Sequence, residues 1–253
     1  MKKLIYFCLF LFLLSCKTKP PLTDENLYQP TKMVDFFDAS RDRKIPVALY
    51  YKKNLTLTKM PVVIFSHGYG RNNPGSNLTY QYLLGNLAEK GYFVASIQHE
   101  LPTDDLVPSA GKPQVVRRPN WDRGAENILF VLNQLKKGFI KLDYQKVAIA
   151  GHSNGGDMSV LFVDQHPDLV WKLITLDQRR YPFPHLSTPK IYSLRSSDQL
   201  ADEGVLPTLE EQKNLGMTIF KLPNTIHNDM NDGGTVDQKI EILDYFLKFL
   251  EEN

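Results

Sequence analysis

Beyond about residue 31, short apolar runs alternate with longer segments in which apolar positions recur at helical spacing. The run PVVIFS at 61–66 is continuously apolar, as a strand covered on both faces must be. YFVASI, KVAIA, WKLITL, KIYSL and GMTIFKL repeat that texture further along. Between them, NLTYQYLLGNLAEKG reads as a helix closed by Gly91. WDRGAENILFVLNQLKK places Ile128, Leu129, Leu132 and Leu135 on one helix face, and 153–165 reads as a further helix. A closing helix is predicted from the stripe Val236, Ile240, Leu243, Leu247 and Leu250. KMVDFF and IPVALYY, ahead of all these, suit an antiparallel hairpin. Alternation of this kind builds an α/β domain: a mostly parallel central sheet with helices on both faces. Ligand sites in such sheets form where loops leave the carboxyl ends of strands. The loops that matter here follow Ser66, Ala150 and Leu222.

AGHSNGG, at 150–156, occupies one of those loops. The pattern G-x-S-x-G between an apolar strand and a helix is the setting in which a sharp turn exposes a serine hydroxyl above the sheet. Gly151 and Gly155 leave room where the turn and helix crowd together. Ser153 is therefore the candidate nucleophile, and the helix that starts there directs amide groups toward it. A serine needs a base. Of the six histidines, His227 in PNTIHNDM lies after the last strand, from which a side chain can reach Ser153. His152 is expected to point away from the hydroxyl, and His166 ends a helix. His99 and His185 lie in loops without special context. The loop FSHGYG at 65–70 carries Gly68 and Gly70. It supplies a candidate oxyanion donor in the main chain of Tyr69, with the amide of Asn154 as the second; His67 is expected to brace the loop.

At these residues the chain resembles the α/β-hydrolases. DASRDRKIPVALYY, VIFSHGYG, NILFVLNQL and AGHSNGG are similar to the branch of platelet-activating-factor acetylhydrolases, dienelactone hydrolases and polyester hydrolases. The resemblance spans nearly all of 35–250. It implies an α/β-hydrolase fold without a large lid domain, a triad in the order serine, acid, histidine, and no cofactor. It leaves two acids open. Asp198 follows KIYSL, where most relatives carry the acid. Asp177 follows WKLITL, where the acetylhydrolases and chlorophyllases carry it. Arg179 and Arg180 give Asp177 a ready structural role, so Asp198 is preferred. The activity implied is ester hydrolysis through an acyl-enzyme on Ser153, with a small or polymeric ester as substrate. An amide or peptide hydrolase, or a non-catalytic binding lipoprotein on the same fold, is the alternative.

The chain begins with Lys2 and Lys3, followed by an apolar run to Leu14 that is short for a bilayer span. It ends in LLSC, which resembles the lipobox of bacterial lipoproteins and implies a lipidated Cys16. The expected organisation is a signal peptide at 1–15, a polar, proline-bearing tether at 16–30 and the hydrolase domain at 31–253. The protein is then held to a membrane of the bacterial envelope, on its periplasmic or surface side; Lys17 after the cysteine resembles outer-membrane rather than inner-membrane sorting. Loss of 1–15 removes two lysines and no acid, so the formal charge falls from +2 to 0. That balance argues against a nucleic-acid partner. With Cys8 removed and Cys16 acylated, no cysteine is left for a disulfide or a thiol nucleophile. No regular ligand spacing suggests a metal. Arg117, Arg118, Arg123, Arg179, Arg180 and Arg195 fall near strand ends. Ion pairs with Asp122, Asp177, Asp202 and Glu203 are the expected reading, and recognition of an anionic substrate is the other.

Overall fold

Among the described residues, eight strands form one sheet in the order β1-β2-β4-β3-β5-β6-β7-β8. They are β1 (Lys32–Asp38), β2 (Arg43–Tyr50), β3 (Pro61–Ser66), β4 (Phe93–Ile97), β5 (Asp143–His152), β6 (Lys172–Leu176), β7 (Lys190–Arg195) and β8 (Thr218–Lys221). The computed structural model of the chain describes residues 28–52 and 59–252. The signal segment, most of the tether and Cys16 lie outside the described residues. β1 and β2 form the antiparallel hairpin; β2 also pairs antiparallel with β4, and every remaining pair is parallel.

Among the described residues, six α-helices accompany the sheet: α1 (Gln81–Glu89), α2 (Pro113–Val116), α3 (Arg118–Gly138), α4 (Ser153–Gln165), α5 (Leu209–Leu215) and α6 (Val236–Glu251). Alternate residues of β3 show how the two faces are filled. Val62 and Ile64 enter the apolar cluster that includes Trp121, Ile128 and Leu132 of α3 and Phe162 of α4. Val63 and Phe65 enter the cluster with Leu83 and Leu84 of α1 and Ile242 and Phe246 of α6. Both faces of β3 are thus removed from water, which is why its sequence lacks polar alternation.

Two details differ from the sequence expectation. Ile240 is 37% exposed, and α6 buries Ile242, Leu243, Phe246, Leu247, Phe249 and Leu250 instead, a face wider than the expected stripe. Helix α5 was not anticipated. It is marked by a capping box, in which the Thr208 hydroxyl accepts from the amide of Glu211 while the Glu211 carboxylate accepts from the amide of Thr208, and by a left-handed Gly216 at its end.

The chain leaves β3 toward β4 on one side, while β5 pairs on its other side. This reversal opens a crevice at the carboxyl ends of β3 and β5, where Ser66 lies opposite Gly151. The loop after β3 and the turn after β5 therefore meet.

Candidate active site

Strand β5 ends at His152 and α4 starts at Ser153, with no residue between them. So abrupt a change requires Ser153 to take a positive φ of 53°, a conformation of order 1–3 kcal/mol less favourable for a non-glycine residue. The flanking glycines make it possible. A Cβ on Gly151 would stand 2.5 Å from the carbonyl oxygen of Gly155, and one on Gly155 would run into the carbonyl oxygens of Ser66 and His67. Backbone therefore crosses backbone at the turn, and Ser153 is lifted into partial exposure.

His227 opens a single 3₁₀ turn, His227–Asp229, between β8 and α6. Its Nε2 lies 2.9 Å from Ser153 Oγ and its Nδ1 lies 2.5 Å from Asp177 Oδ2. With Nδ1–H donating to the carboxylate, Nε2 is free to accept the serine proton. That tautomer serves both contacts.

The preference for Asp198 over Asp177 is corrected by this geometry. Asp198 is exposed and accepts the main-chain amide of His227 at 2.7 Å, so it holds the loop and not the ring. Asp177 is fully buried and takes a positive φ of 52° just past β6, which turns its carboxylate toward His227. The amide and hydroxyl of Ser196 donate to it at 3.0 and 2.7 Å, and Arg195 Nη2 pairs with it at 3.0 Å. Burial pushes the Asp177 carboxyl up. The His227 contact, the Arg195 charge and the Ser196 bonds outweigh it and hold the group at about 2.

His152, beside Ser153, is turned away from the serine hydroxyl. The amide of Gly68 donates to the Tyr80 hydroxyl at 3.0 Å, and that hydroxyl lies 2.7 Å from His152 Nδ1. Burial, then the neighbouring His227, pushes His152 down to about 3, so it packs as a neutral ring 4.6 Å from the His227 ring. A cleft of about 250 Å³ opens over Ser153 and His227, lined also by Gly68, Tyr69, Tyr80 and His152.

The loop after β3 is braced from behind. His67 Nδ1 meets the Gly68 carbonyl at 2.7 Å, and its Nε2 accepts the amide of His99 at 3.1 Å. The Tyr69 hydroxyl accepts the amide of Val107 at 3.0 Å, tying this loop to the segment after β4. Asn154 follows Ser153 in the first turn of α4, where main-chain N–H groups have no intrahelical partner. Its side chain is anchored in a buried polar network. Trp121 Nε1 donates to Asn154 Oδ1 at 2.9 Å, and Asn154 Nδ2 donates to Asn120 Oδ1 at 2.9 Å and Glu100 Oε1 at 3.3 Å. Glu100 Oε2 lies 3.7 Å from His67 Nε2, so one buried carboxylate stands between the two loops that flank the serine. Sequence reasoning did not identify Glu100, Asn120 or Trp121 in this role.

The other sequence candidates lie apart. His185 is exposed beside Glu211, and His166 caps α4. His99 is buried against the Ser66 hydroxyl at 2.9 Å. Among the described residues, no group of three His, Cys, Asp or Glu could hold a metal ion, and no helix is long and apolar enough to cross a membrane.

No family model matches the chain, and no curated protein matches it in sequence. Solved structures do match in shape. A fungal esterase from Rhizomucor miehei aligns with 90% of this chain and 84% of its own, with a TM-score of 0.67 at 14% identity. Thermogutta terrifontis esterase 2, in a form phosphoramylated by tabun, aligns over 89% and 98%, with a TM-score of 0.65 at 13% identity. A dienelactone hydrolase-like promiscuous phosphotriesterase from metagenomic libraries aligns over 86% and 97%, with a TM-score of 0.63 at 13% identity. The fold is that of the α/β-hydrolases, and no lid domain is present among the described residues.

Proposed function

We propose that this chain, an α/β-hydrolase fold with serine, histidine and aspartate aligned at the switch point of its sheet, is a serine esterase that cleaves carboxylic esters through an acyl-enzyme. The observation that carries the reading is the continuous contact from Ser153 Oγ to His227 Nε2 at 2.9 Å and from His227 Nδ1 to Asp177 at 2.5 Å. Ser153 Oγ attacks the ester carbonyl carbon as its proton passes to His227 Nε2. Asp177 holds the ring and stabilises the imidazolium. The oxyanion is received by the main-chain amides of Tyr69 and Asn154. Collapse of the tetrahedral species breaks the bond to the alcohol oxygen, which takes the proton from His227. Water then repeats the sequence with His227 as base and frees the acid product. The chain's own residues supply every step without a cofactor.

An ester is favoured over an amide because the structural neighbours named above include esterases, and because a cleft without a lid suits small or exposed esters. Cys16 is proposed to carry lipid, which would hold the enzyme to the bacterial envelope, with its tether leaving the domain free at the periplasmic or outer surface. The test of the reaction is hydrolysis of p-nitrophenyl butyrate by the purified protein and by Ser153→Ala. Turnover should fall by several orders of magnitude in the variant. Equal turnover in a folded Ser153→Ala preparation would exclude Ser153 as nucleophile.

A further inference from the structure

The arginines near the site do not all find the acids expected of them. Asp122 is used by Arg118 at 2.7 Å, Asp177 by Arg195 at 3.0 Å, and Asp104 by Arg43 at 2.8 Å and Arg123 at 3.5 Å. Asp202 lies 3.7 Å from Arg180 and also accepts from Gln114. Among the described residues, Arg117 and Arg179 have no carboxylate within 4.0 Å. Arg117 Nε donates to the carbonyl of Pro108 at 3.3 Å, and Arg179 Nη1 donates to the side-chain oxygen of Gln199. Both partners are neutral.

These arginines sit on a backbone that is held in place next to the triad. Arg179 lies two residues beyond Asp177. The amides of Arg180 and Tyr181 both donate to Asp157 Oδ1 at 2.9 Å, one turn along α4 from Ser153. The Arg179 carbonyl accepts from the amide of Asp202 at 2.9 Å, and the Arg180 carbonyl accepts from Gln114 Nε2 of α2 at 3.0 Å. Arg117, where α2 meets α3, thereby joins them. Burial, then the charges of Arg180 and Arg179, pushes its guanidinium down. The Arg179 charge also reaches His152 and Arg195, which flank the His227–Asp177 pair. Asp157 and Asp202 offset two of the three charges, which leaves a net positive charge on half-buried guanidinium groups, with Arg179 two residues past Asp177. Holding like charges together is unfavourable unless an anion joins them.

We propose that Arg117 and Arg179, supported by Arg180, form a subsite for an anionic oxygen group, carboxylate or phosphate, carried by the ester substrate. This deepens the esterase reading and rests on it. Guanidinium forks would grip the anion through charge-assisted hydrogen bonds and set the scissile carbonyl over Ser153.

The experiment compares kcat/KM for three p-nitrophenyl esters of similar length: the neutral hexanoate, the adipate half-ester and the 5-phosphonopentanoate. Wild-type protein should prefer at least one anionic ester by about 10- to 100-fold, the range of a charge-assisted hydrogen bond. Which of the two it prefers tells carboxylate from phosphate. The preference should shrink as salt rises. In Arg117→Gln/Arg179→Gln the anionic-to-neutral ratio should fall toward one, and Arg117→Lys/Arg179→Lys should keep part of it. A wild-type ratio of one or less overturns the subsite while leaving the esterase reading intact. So does a ratio that the double glutamine variant, folded by circular dichroism, leaves unchanged. If that variant does not fold, the wild-type ratio and its salt dependence decide. Turnover of none of the three esters removes both readings.

Discussion

Replacing Asp177 with asparagine separates the charge of the acid from its shape. In the native site, Oδ1 accepts from the Ser196 amide and faces Arg195, while Oδ2 accepts from His227 and the Ser196 hydroxyl. An asparagine keeps its oxygen toward the amide and the guanidinium, which can only donate. Its NH₂ then faces His227 Nδ1, so that nitrogen must accept and Nε2 must carry the proton. A histidine in that tautomer cannot take the proton of Ser153. The loss in kcat should approach 10⁴-fold, about 5.5 kcal/mol of barrier. There is a second, separable effect. The Asp177 carboxyl is held at about 2 against an ordinary 3.8, so its stabilisation is complete above pH 4 and is lost as pH falls through 2. Asp177→Asn should therefore be less stable by about 2 kcal/mol at pH 7, a gap that closes toward pH 2. By contrast, Asp198→Ala removes only an exposed acceptor of the His227 amide and should lower kcat by about tenfold at most. The assay is p-nitrophenyl butyrate turnover beside urea denaturation for both variants. If Asp198→Ala loses far more activity than a folded Asp177→Asn, the assignment of the acid is refuted.

Three further outcomes are expected. Burial pushes Asp157 up to about 6, partly offset by the amides it accepts, so folded protein holds this proton more tightly than unfolded chain does. Stability should therefore fall by up to about 3 kcal/mol as pH rises from 4 to 6, and Asp157→Asn should flatten that slope in denaturation midpoints measured across the range. Gly155→Ala places a methyl group against the carbonyls of Ser66 and His67 and should destabilise the fold by about 3 kcal/mol; an unchanged midpoint would contradict the close crossing of backbones at the elbow. Mass spectrometry of the mature N-terminus should find lipid on Cys16, and an unmodified terminus elsewhere would remove the anchor.

How far the site could be read from sequence depended on whether a residue's role is local. Ser153 was legible because its turn needs small residues at fixed positions, and Gly151 and Gly155 stand at them. His227 was legible because it lies between the last strand and the closing helix, at the strand end from which a side chain can reach Ser153. The carboxylate that meets the His227 ring was not, because Asp177 and Asp198 follow neighbouring strands, and what separates them is side-chain direction. A positive φ turns Asp177 inward, and no residue pattern announces that. The inference that arginines would occupy Asp177 was half right: an arginine does pair with it, but it is Arg195 from the next strand, and the carboxylate still has an oxygen for His227. The clamp on Asn154 was hidden for another reason. Glu100, Asn120 and Trp121 come from two separate segments and meet only once α3 packs on α4. Helix α5 could have been found from Thr208, Glu211 and Gly216, which carry its start and stop signals.

Reaction with a fluorophosphonate, followed by mass spectrometry of the peptide carrying AGHSNGG, tests the central claim most directly. An activated serine attacks phosphorus and keeps the phosphonyl group, whereas an idle hydroxyl does not react. One adduct per chain, on Ser153, with labelling slowed by orders of magnitude in Asp177→Asn, is the predicted result. A folded protein that takes up no label, or takes it up at a residue other than Ser153, would contradict the account.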